Sequence, residues 1–206
     1  MRKVWIIVFV VSLLSASDGF SAELGRRAVE IPTPVQKAYQ GILSEGNMGF
    51  EVDLTWNTAD WDVGSESYHD KVWMPELSLY YGINDFMDVR LCSKYLSLKD
   101  DTIDLDIVRV GIGTKAWIPT KSDFTPYVDL LINYYNLGSD RINDIEGTFG
   151  ISGGAGVSYL LTDTFLIRVG LHGEIFLTDA KGSVDGSDKN ISFSALGIGL
   201  GATVLF

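Results

Sequence analysis

Cysteine and clusters of basic residues are both scarce in this chain. Cys92 is the one cysteine among 206 residues, so no disulfide can form within the chain and its stability must have another source. Lysine and arginine together number 16, against 27 aspartate and glutamate residues, which gives a formal net charge of −11. Because binding to nucleic-acid phosphates requires clustered lysine and arginine, this composition argues against a nucleic-acid partner.

Long apolar runs are also scarce, and the clearest one lies near the N-terminus. There, Arg2 and Lys3 precede an apolar stretch at residues 4–14, and small residues follow. This order predicts a secretory signal peptide over residues 1–22, with cleavage between residues 16 and 22. The apolar stretch is about half the roughly 20 residues that a membrane-spanning helix needs. A membrane domain in the rest of the chain would therefore have to be a closed sheet, in which the strands satisfy each other's backbone groups.

An alternation of period two begins at residue 48. Through residue 57, apolar residues such as Phe50 and Val52 alternate with polar residues such as Glu51 and Asp53, which predicts an amphipathic strand. Seven further stretches show the same alternation: residues 73–83, 89–95, 108–118, 124–135, 148–161, 165–175 and 194–206. Eight strands of about ten residues have the length that tilted membrane strands require.

The connections between these strands alternate in length. Long and mostly acidic connections follow the first, third, fifth and seventh strands, at residues 57–72, 98–104, 136–147 and 178–190. Short turns follow the others, as in barrels with long outer loops and short periplasmic turns. The sequence therefore predicts an all-β fold, an antiparallel up-and-down barrel over residues 48–206. Residues 23–47 are predicted to be a periplasmic lead-in, or a short helix at the barrel mouth.

Aromatic residues on the apolar face of the strands are predicted to form two belts. The belt near the long loops contains Trp56, Trp73, Tyr95, Tyr134 and Phe149, and the belt near the short turns contains Phe50, Tyr81, Phe124, Tyr159, Phe165 and Phe206. Aromatic rings concentrate at both interfaces of a membrane. A soluble ligand-binding barrel of the lipocalin type would have the opposite arrangement, with apolar residues inside and charges outside.

The last stretch, SALGIGLGATVLF, alternates apolar residues with glycines and ends on Phe206. It resembles the closing strand of bacterial outer-membrane β-barrels, and with the other strands the chain resembles the small eight-stranded barrels that include OmpA, OmpX and OmpW. This resemblance implies the outer membrane of a Gram-negative-type bacterium, contact with outer-membrane lipid and lipopolysaccharide, and recognition by the barrel-assembly machinery. The implied assembly signal consists of Leu200, Ala202, Val204 and Phe206.

The polar face of the strands carries charges of both signs in equal number. Five are acidic and five are basic, and one histidine accompanies them: Glu51, Asp53, Glu76, Asp129, Glu174, Arg90, Lys94, Arg109, Lys115, Arg168 and His172. Small barrels have an interior just wide enough for side chains to fill. Because opposed charges in a narrow space can pair, we expect an ion-pair network that fills the lumen. The alternative is a narrow or gated pore for ions or small solutes.

Catalysis and metal binding have little support in the sequence. Outer-membrane lipid A deacylases are barrels of similar size, but their His-x-Ser motif has no counterpart here, because Gly173 and Glu174 follow His172. The acidic loops contain no Asp-x-Asx-x-Asx-Gly pattern of a calcium loop. We therefore expect no enzyme, no cofactor and no metal site. The expected role is structural or surface interaction, with a possible extracellular ligand through the loops; a channel and a lipid-modifying enzyme are the alternatives.

Overall fold

The computed structural model describes residues 45–99, 103–120 and 122–206. The chain divides into two units, residues 1–38 and 39–206, and the described residues all belong to the second. The predicted signal peptide, residues 1–22, and nearly all of the predicted lead-in, residues 23–47, lie outside them. Within the described part of the chain, no helix is long and apolar enough to cross a membrane.

Nine antiparallel strands form one sheet. They are β1 (Met48–Val63), β2 (Glu66–Asn84), β3 (Met87–Lys99), β4 (Asp104–Trp117), β5 (Phe124–Gly138), β6 (Thr148–Thr162), β7 (Phe165–Phe176), β8 (Ala180–Val184) and β9 (Ser187–Leu205). Neighbours in sequence pair with one another up to β7, which pairs with β9, and β1 pairs with both β2 and β9. The strands β1 to β7 and β9 therefore close into a ring of eight, which confirms the predicted eight-stranded barrel. The short strand β8 pairs with the first residues of β9.

Apolar side chains cover the outside of this ring. On β1, residues 48–56 alternate between exposed apolar residues and buried polar ones, as the period of a strand requires. Aromatic residues of neighbouring strands lie directly opposite one another at both ends of the apolar band. Three such pairs are Trp56 with Trp73, Tyr134 with Phe149, and Phe124 with Tyr159. Their position at two levels is what two membrane interfaces favour.

Two of the predicted long loops are wrong, because the strands continue through them. Residues 57–72 were expected to be a loop, but β1 extends to Val63 and β2 begins at Glu66 after a tight turn in which Gly64 has a φ of 64°. Residues 178–190 contain β8 and the start of β9. Both segments keep the alternation of a strand. Asp60 and Asp62 face outward, whereas Asp70 shares the inner face of β2 with Tyr68 and Val72, which pack against buried apolar residues. The acidic residues suggested a loop, whereas the period of two was the correct signal.

Among the described residues, strand pairing is missing along a seam between the outer halves of β2 and β3. The ladder between these strands ends at Glu76 and Lys94. Gly82 donates its backbone N–H to Asn47 on the β1 side, so the odd-numbered residues of β2 direct their backbone groups toward β3. Pro75 is one of these and has no N–H to donate, so the ladder stops where the proline stands.

Candidate functional site

A layer of charged side chains lies on the inner face of the barrel, at the level of the outer apolar band. The structure places all eleven residues of the predicted charge network on the inner face of the strands. Ten of them are buried, and the side chain of Arg168 is 9% exposed. They come from β1, β2, β3, β4, β5 and β7, because the period of two directs alternate residues of every strand inward.

Glu76 lies at the centre of the half of this layer that is closer to the long loops. One of its carboxylate oxygens accepts a hydrogen bond from Arg90 and the other accepts one from Arg109. Nη1 of Arg109 donates a hydrogen bond to Glu174 Oε2 at 2.6 Å, and Glu174 Oε1 lies 3.4 Å from Nζ of Lys94. Five charges from four strands are thus joined into one chain of ion pairs across the lumen.

Glu51 is the corresponding centre closer to the end of the barrel that carries the short turns. Its carboxylate lies 3.2 Å from Nζ of Lys115 and 2.7 Å from Nη2 of Arg168, and it accepts a hydrogen bond from the hydroxyl of Tyr80. Arg168 also forms an ion pair with Asp53. Arg90 links the two halves of the layer, since its Nη2 is 3.3 Å from Glu51 Oε1.

All ten charged groups of the layer take part in at least one ion pair. Asp129 completes the set, with Oδ2 at 3.2 Å from Nη1 of Arg90. The five carboxylates and five cations of the predicted network balance one another. This matters because an uncompensated charge in a water-poor interior costs several kcal/mol, whereas paired and hydrogen-bonded charges largely offset that cost. The arrangement can therefore hold these ten charges inside the lumen in paired form. Asp88, which was not predicted, is a further buried carboxylate and accepts a hydrogen bond from Nε1–H of Trp117 at 2.7 Å.

The closing strand β9 makes room for this layer. A Cβ atom at Gly201 would collide with Asp53 and Arg168, which form one of the ion pairs of the layer. The inner face of β9 therefore carries glycine at the level where its neighbours carry long charged side chains. The lone cysteine, Cys92, is also buried on the inner face and accepts a weak hydrogen bond from Nη2 of Arg109 at 3.5 Å.

A second layer inside the barrel is apolar and lies between the charged layer and the outer loops. It was not predicted. Trp61 is only 1% exposed, stacks on Tyr68 at 4.4 Å between ring centroids, and belongs to a large buried cluster. Other members are Ala59, Val63, Met74, Leu96, Leu98, Ile103, Leu105, Ile107, Tyr135, Leu137, Ile142, Phe176, Ala180, Ile191, Phe193 and Ala195. These residues continue the inner face of the strands beyond the outer aromatic belt. The sequence signal was present in alternations such as Ala59, Trp61 and Val63 against acidic residues.

The connection between β5 and β6 covers this apolar layer. Ile142 is buried in the cluster and Ile145 packs against it. The backbone of Asn143 exchanges two hydrogen bonds with Ser183 of β8, at 2.9 and 2.8 Å, and Glu146 N–H donates to Lys181 at 2.8 Å. The predicted loop at residues 136–147 is therefore bound to β8 and contributes side chains to the closure of the outer end.

Comparison with known proteins gives the family. Residues 35–203 match the model of the outer membrane protein beta-barrel domain. The chain belongs to this family. The sequence has no significant match among curated proteins.

Solved structures of bacterial outer-membrane barrels share the fold of this family member. Neisserial surface protein A superposes with a TM-score of 0.60 at 19% identity, over 78% of this chain and 99% of that chain. The outer membrane protein OprG from Pseudomonas aeruginosa superposes with a TM-score of 0.55 at 15% identity, over 79% of this chain and 98% of that chain. The family and the fold place the chain in the outer membrane.

The implied assembly signal of this outer-membrane barrel lies on its lipid-facing surface. Leu200, Ala202, Val204 and Phe206 are on the outer face of β9 and its end, and Phe206 is 70% exposed. Met48 and Phe206 also exchange two backbone hydrogen bonds, at 3.0 and 2.9 Å, which join the end of the chain to β1. The terminal residue thus has a backbone role in closing the ring as well as a side chain that faces lipid.

The described residues offer no group of three or more His, Cys, Asp or Glu side chains suited to a metal ion. His172 is buried inside the charged layer. It faces neither lipid nor extracellular solvent. His69, in contrast, is exposed and pairs with Asp60 at 2.7 Å on the outside of the barrel.

Proposed function

We propose that this outer-membrane barrel has a structural or surface-interaction role and does not conduct solutes. The observation that carries the proposal is the position of Glu76, whose carboxylate joins Arg90 and Arg109 across the centre of the lumen. A pore would need a continuous water-filled path at this level. The apolar layer around Trp61 adds a second closure, because ions do not cross a packed apolar core without a large desolvation cost.

Reconstitution in a planar lipid bilayer tests the closed lumen. The refolded wild-type barrel is expected to leave the membrane resistance unchanged at either sign of voltage. A porin of known conductance, inserted in the same membrane, serves as the positive control. Discrete current steps from the wild-type barrel would contradict the proposal.

The proposed interaction surface is the part of the barrel outside the outer aromatic belt. There, acidic residues such as Asp60, Asp62 and Asp106 project outward from the extended strands. Lipopolysaccharide, bridged through divalent cations, and a cationic extracellular ligand are the partners that fit acidic residues. Binding of purified lipopolysaccharide with Mg²⁺ and with a chelator tests the first: binding that is insensitive to the chelator would contradict bridging.

Export through a cleaved signal peptide at residues 1–22 is part of the proposal, as is insertion by the barrel-assembly machinery. Mass spectrometry of the protein isolated from outer membranes would give the mature N-terminus. A start between residues 17 and 23 is expected from the cleavage interval set by the small residues that follow the apolar stretch. A protein that retains Met1 in the membrane fraction would contradict cleavage.

A narrow channel is the second candidate, and two small cavities favour it. One lies near the periplasmic end beside Glu51 and Tyr80, and the other lies beside Asp53 and Asp129. Arg168 forms ion pairs with Glu51, which lines the first cavity, and with Asp53, which lines the second, so its side chain lies between the two cavities. If this channel existed, Arg168→Ser would raise the conductance of a barrel that already conducts; a closed wild type that stays closed in this variant excludes it.

A further inference from the structure

Asp88 is a buried carboxylate of the lumen that lies outside the ion-pair network. Only 6% of the residue is exposed, and its Oδ2 accepts a hydrogen bond from the neutral indole of Trp117. Lys115 lies directly opposite Asp88 on β4, but its ammonium group donates to Glu51 and to the hydroxyl of Tyr80 instead. The described residues form no ion pair with Asp88.

Asp88 therefore gives the inside of the barrel one negative charge in excess. The ten charges of the network cancel, and His172 is counted as neutral. Because a buried charge without a counter-charge is costly, Asp88 needs either a proton or a cation.

Oδ1 of Asp88 opens onto a small cavity at the end of the barrel that carries the short turns. This atom makes no hydrogen bond with a described residue, yet it is not one of the unpartnered atoms that the protein encloses. The cavity that Asp88 lines has a volume of about 20 Å³. A water molecule needs roughly 10–15 Å³ of such space, so the cavity has room for one particle of that size. A small monovalent ion is such a particle.

The walls of this cavity present oxygen acceptors. Tyr80 and Thr203, which both line it, donate their hydroxyl hydrogens to Glu51. Trp117, a further lining residue, donates its indole hydrogen to Asp88. Each of these three donors has a single hydrogen, so none is left to point into the cavity. Oxygen acceptors attract a positive charge and repel a negative one, so the cavity suits a cation and not an anion.

We propose that this cavity binds one monovalent cation through Oδ1 of Asp88, with the hydroxyl oxygens of Tyr80 and Thr203 as further neighbours. One excess carboxylate requires one positive charge, and the described residues offer no group of three His, Cys, Asp or Glu side chains suited to a divalent metal. A proton on Asp88 would cancel the charge but would leave the space between these acceptors unfilled. The site goes beyond the proposed structural role and does not depend on whether the lumen conducts.

Carbon NMR of the full mature chain, labelled with ¹³C-aspartate and placed in phosphatidylcholine nanodiscs, tests the site. The carboxyl signal of Asp88 is identified by its proximity to Nε1 of Trp117. We expect a deprotonated Asp88 at neutral pH in KCl. Its signal should shift when KCl is replaced by N-methylglucamine chloride at the same ionic strength, because that organic cation is too large for the cavity. The exposed Asp85, in the turn before β3, is the control and should not shift. A protonated Asp88 in KCl would overturn the proposal.

The positive charge has two sources, a free ion and the predicted lead-in, which contains Arg26, Arg27 and Lys37. A variant with glutamine at these three positions separates them. A salt-dependent Asp88 signal in wild type assigns the site to a free ion. A signal that depends on salt only in the triple variant assigns it to a side chain of the lead-in. A signal that is independent of salt in both proteins would overturn the proposal.

The urea midpoint in phosphatidylcholine vesicles gives a second test, made on the triple variant if that is where the salt dependence is found. Replacing KCl by N-methylglucamine chloride should lower the midpoint, and Asp88→Asn should abolish that fall because it removes the excess charge. Asp85→Asn is the same substitution at the same end of the barrel and should retain the fall. An equal fall with and without the Asp88 carboxylate would contradict the site. If Asp88→Asn does not insert, the NMR experiment decides.

Discussion

Trp56 of β1 and Trp73 of β2 lie directly opposite one another, with ring centroids 6.2 Å apart, at the level where both faces of the sheet change polarity. Below this pair, β1 presents apolar residues to lipid and charges to the lumen. Above it, Asp60 and Asp62 face outward, whereas Trp61 is buried inside. The same strand therefore serves two environments, and the tryptophans, 49% and 59% exposed, lie where the membrane interface favours them.

The first prediction concerns this change of environment. Val52 and Thr58 both face outward on β1. Val52 precedes Trp56, on the side of the apolar band, and Thr58 follows Trp56, on the side of the outer loops. Val52→Arg places a charge in the apolar band and is expected to destabilise the barrel by about 2–4 kcal/mol. Thr58→Arg places the same side chain beyond the belt, where we expect a loss of less than about 1 kcal/mol. Urea unfolding from lipid vesicles measures both, and equal losses would contradict the assigned membrane boundary.

The second prediction concerns Glu76. Glu76→Gln keeps the shape of the side chain but removes the negative charge between Arg90 and Arg109. Breaking a buried ion pair in this way leaves uncompensated charge, so we expect a loss of about 3–5 kcal/mol in unfolding free energy.

Glu66→Gln is the matched control for this variant. It is the same substitution on the same strand at an exposed position, and an effect within about 0.5 kcal/mol is expected. A loss at Glu76 no larger than that of the control would show that the ion pairs of the lumen do not stabilise the fold.

The third prediction concerns the two closures of the lumen. Trp61→Ala opens space in the apolar layer and should cost about 3–5 kcal/mol, but the charged layer below remains, so no conductance is expected. Arg109→Ala removes a cation of the charged layer while the apolar layer remains. Only the double variant is expected to show current steps in a planar bilayer. Conductance of a single variant would mean that the layer left intact in that variant does not seal the barrel.

The strand number and the inward positions of the charges could be predicted because one physical rule sets both. A membrane strand must alternate between lipid and lumen, and residues such as Glu51 and Asp53 follow that alternation without exception. The partners of each charge could not be predicted. The pairing of Glu51 with Arg168 brings together residues far apart in sequence and depends on the closure of the ring by β9.

The extended outer strands were missed because polarity was given more weight than period. Asp60 and Asp62 suggested a solvated loop, yet Ala59, Trp61 and Val63 between them keep the alternation of a strand. Outside the membrane, a barrel strand has a solvated outer face and an apolar inner one, so its pattern is reversed and not lost. A search for period two regardless of which face is apolar would have found these strands.

The fourth prediction concerns the seam between β2 and β3. Above Pro75, the carboxylate of Asp70 accepts a hydrogen bond from the backbone N–H of Lys71 at 2.6 Å and a long one from that of Lys99 at 3.5 Å. Asp70→Ala should therefore accelerate hydrogen exchange of the Lys99 amide. The amide of Ser93 is the control, because Ser93 is paired with Leu77 within the intact ladder. Unchanged exchange at Lys99 would show that Asp70 does not bridge the seam.

The fifth prediction concerns Phe206, whose two possible contributions can be separated. Deletion of the residue removes both the exposed ring and the two backbone hydrogen bonds with Met48, whereas Phe206→Ala removes the ring alone. If the ring is the assembly signal, both variants should insert poorly in cells, and both should fold at rates closer to wild type into thin lipid vesicles without assembly machinery. Phe206→Ala that inserts normally while the deletion fails would instead assign the requirement to the backbone, because the last two bonds between β9 and β1 would then be what closes the ring.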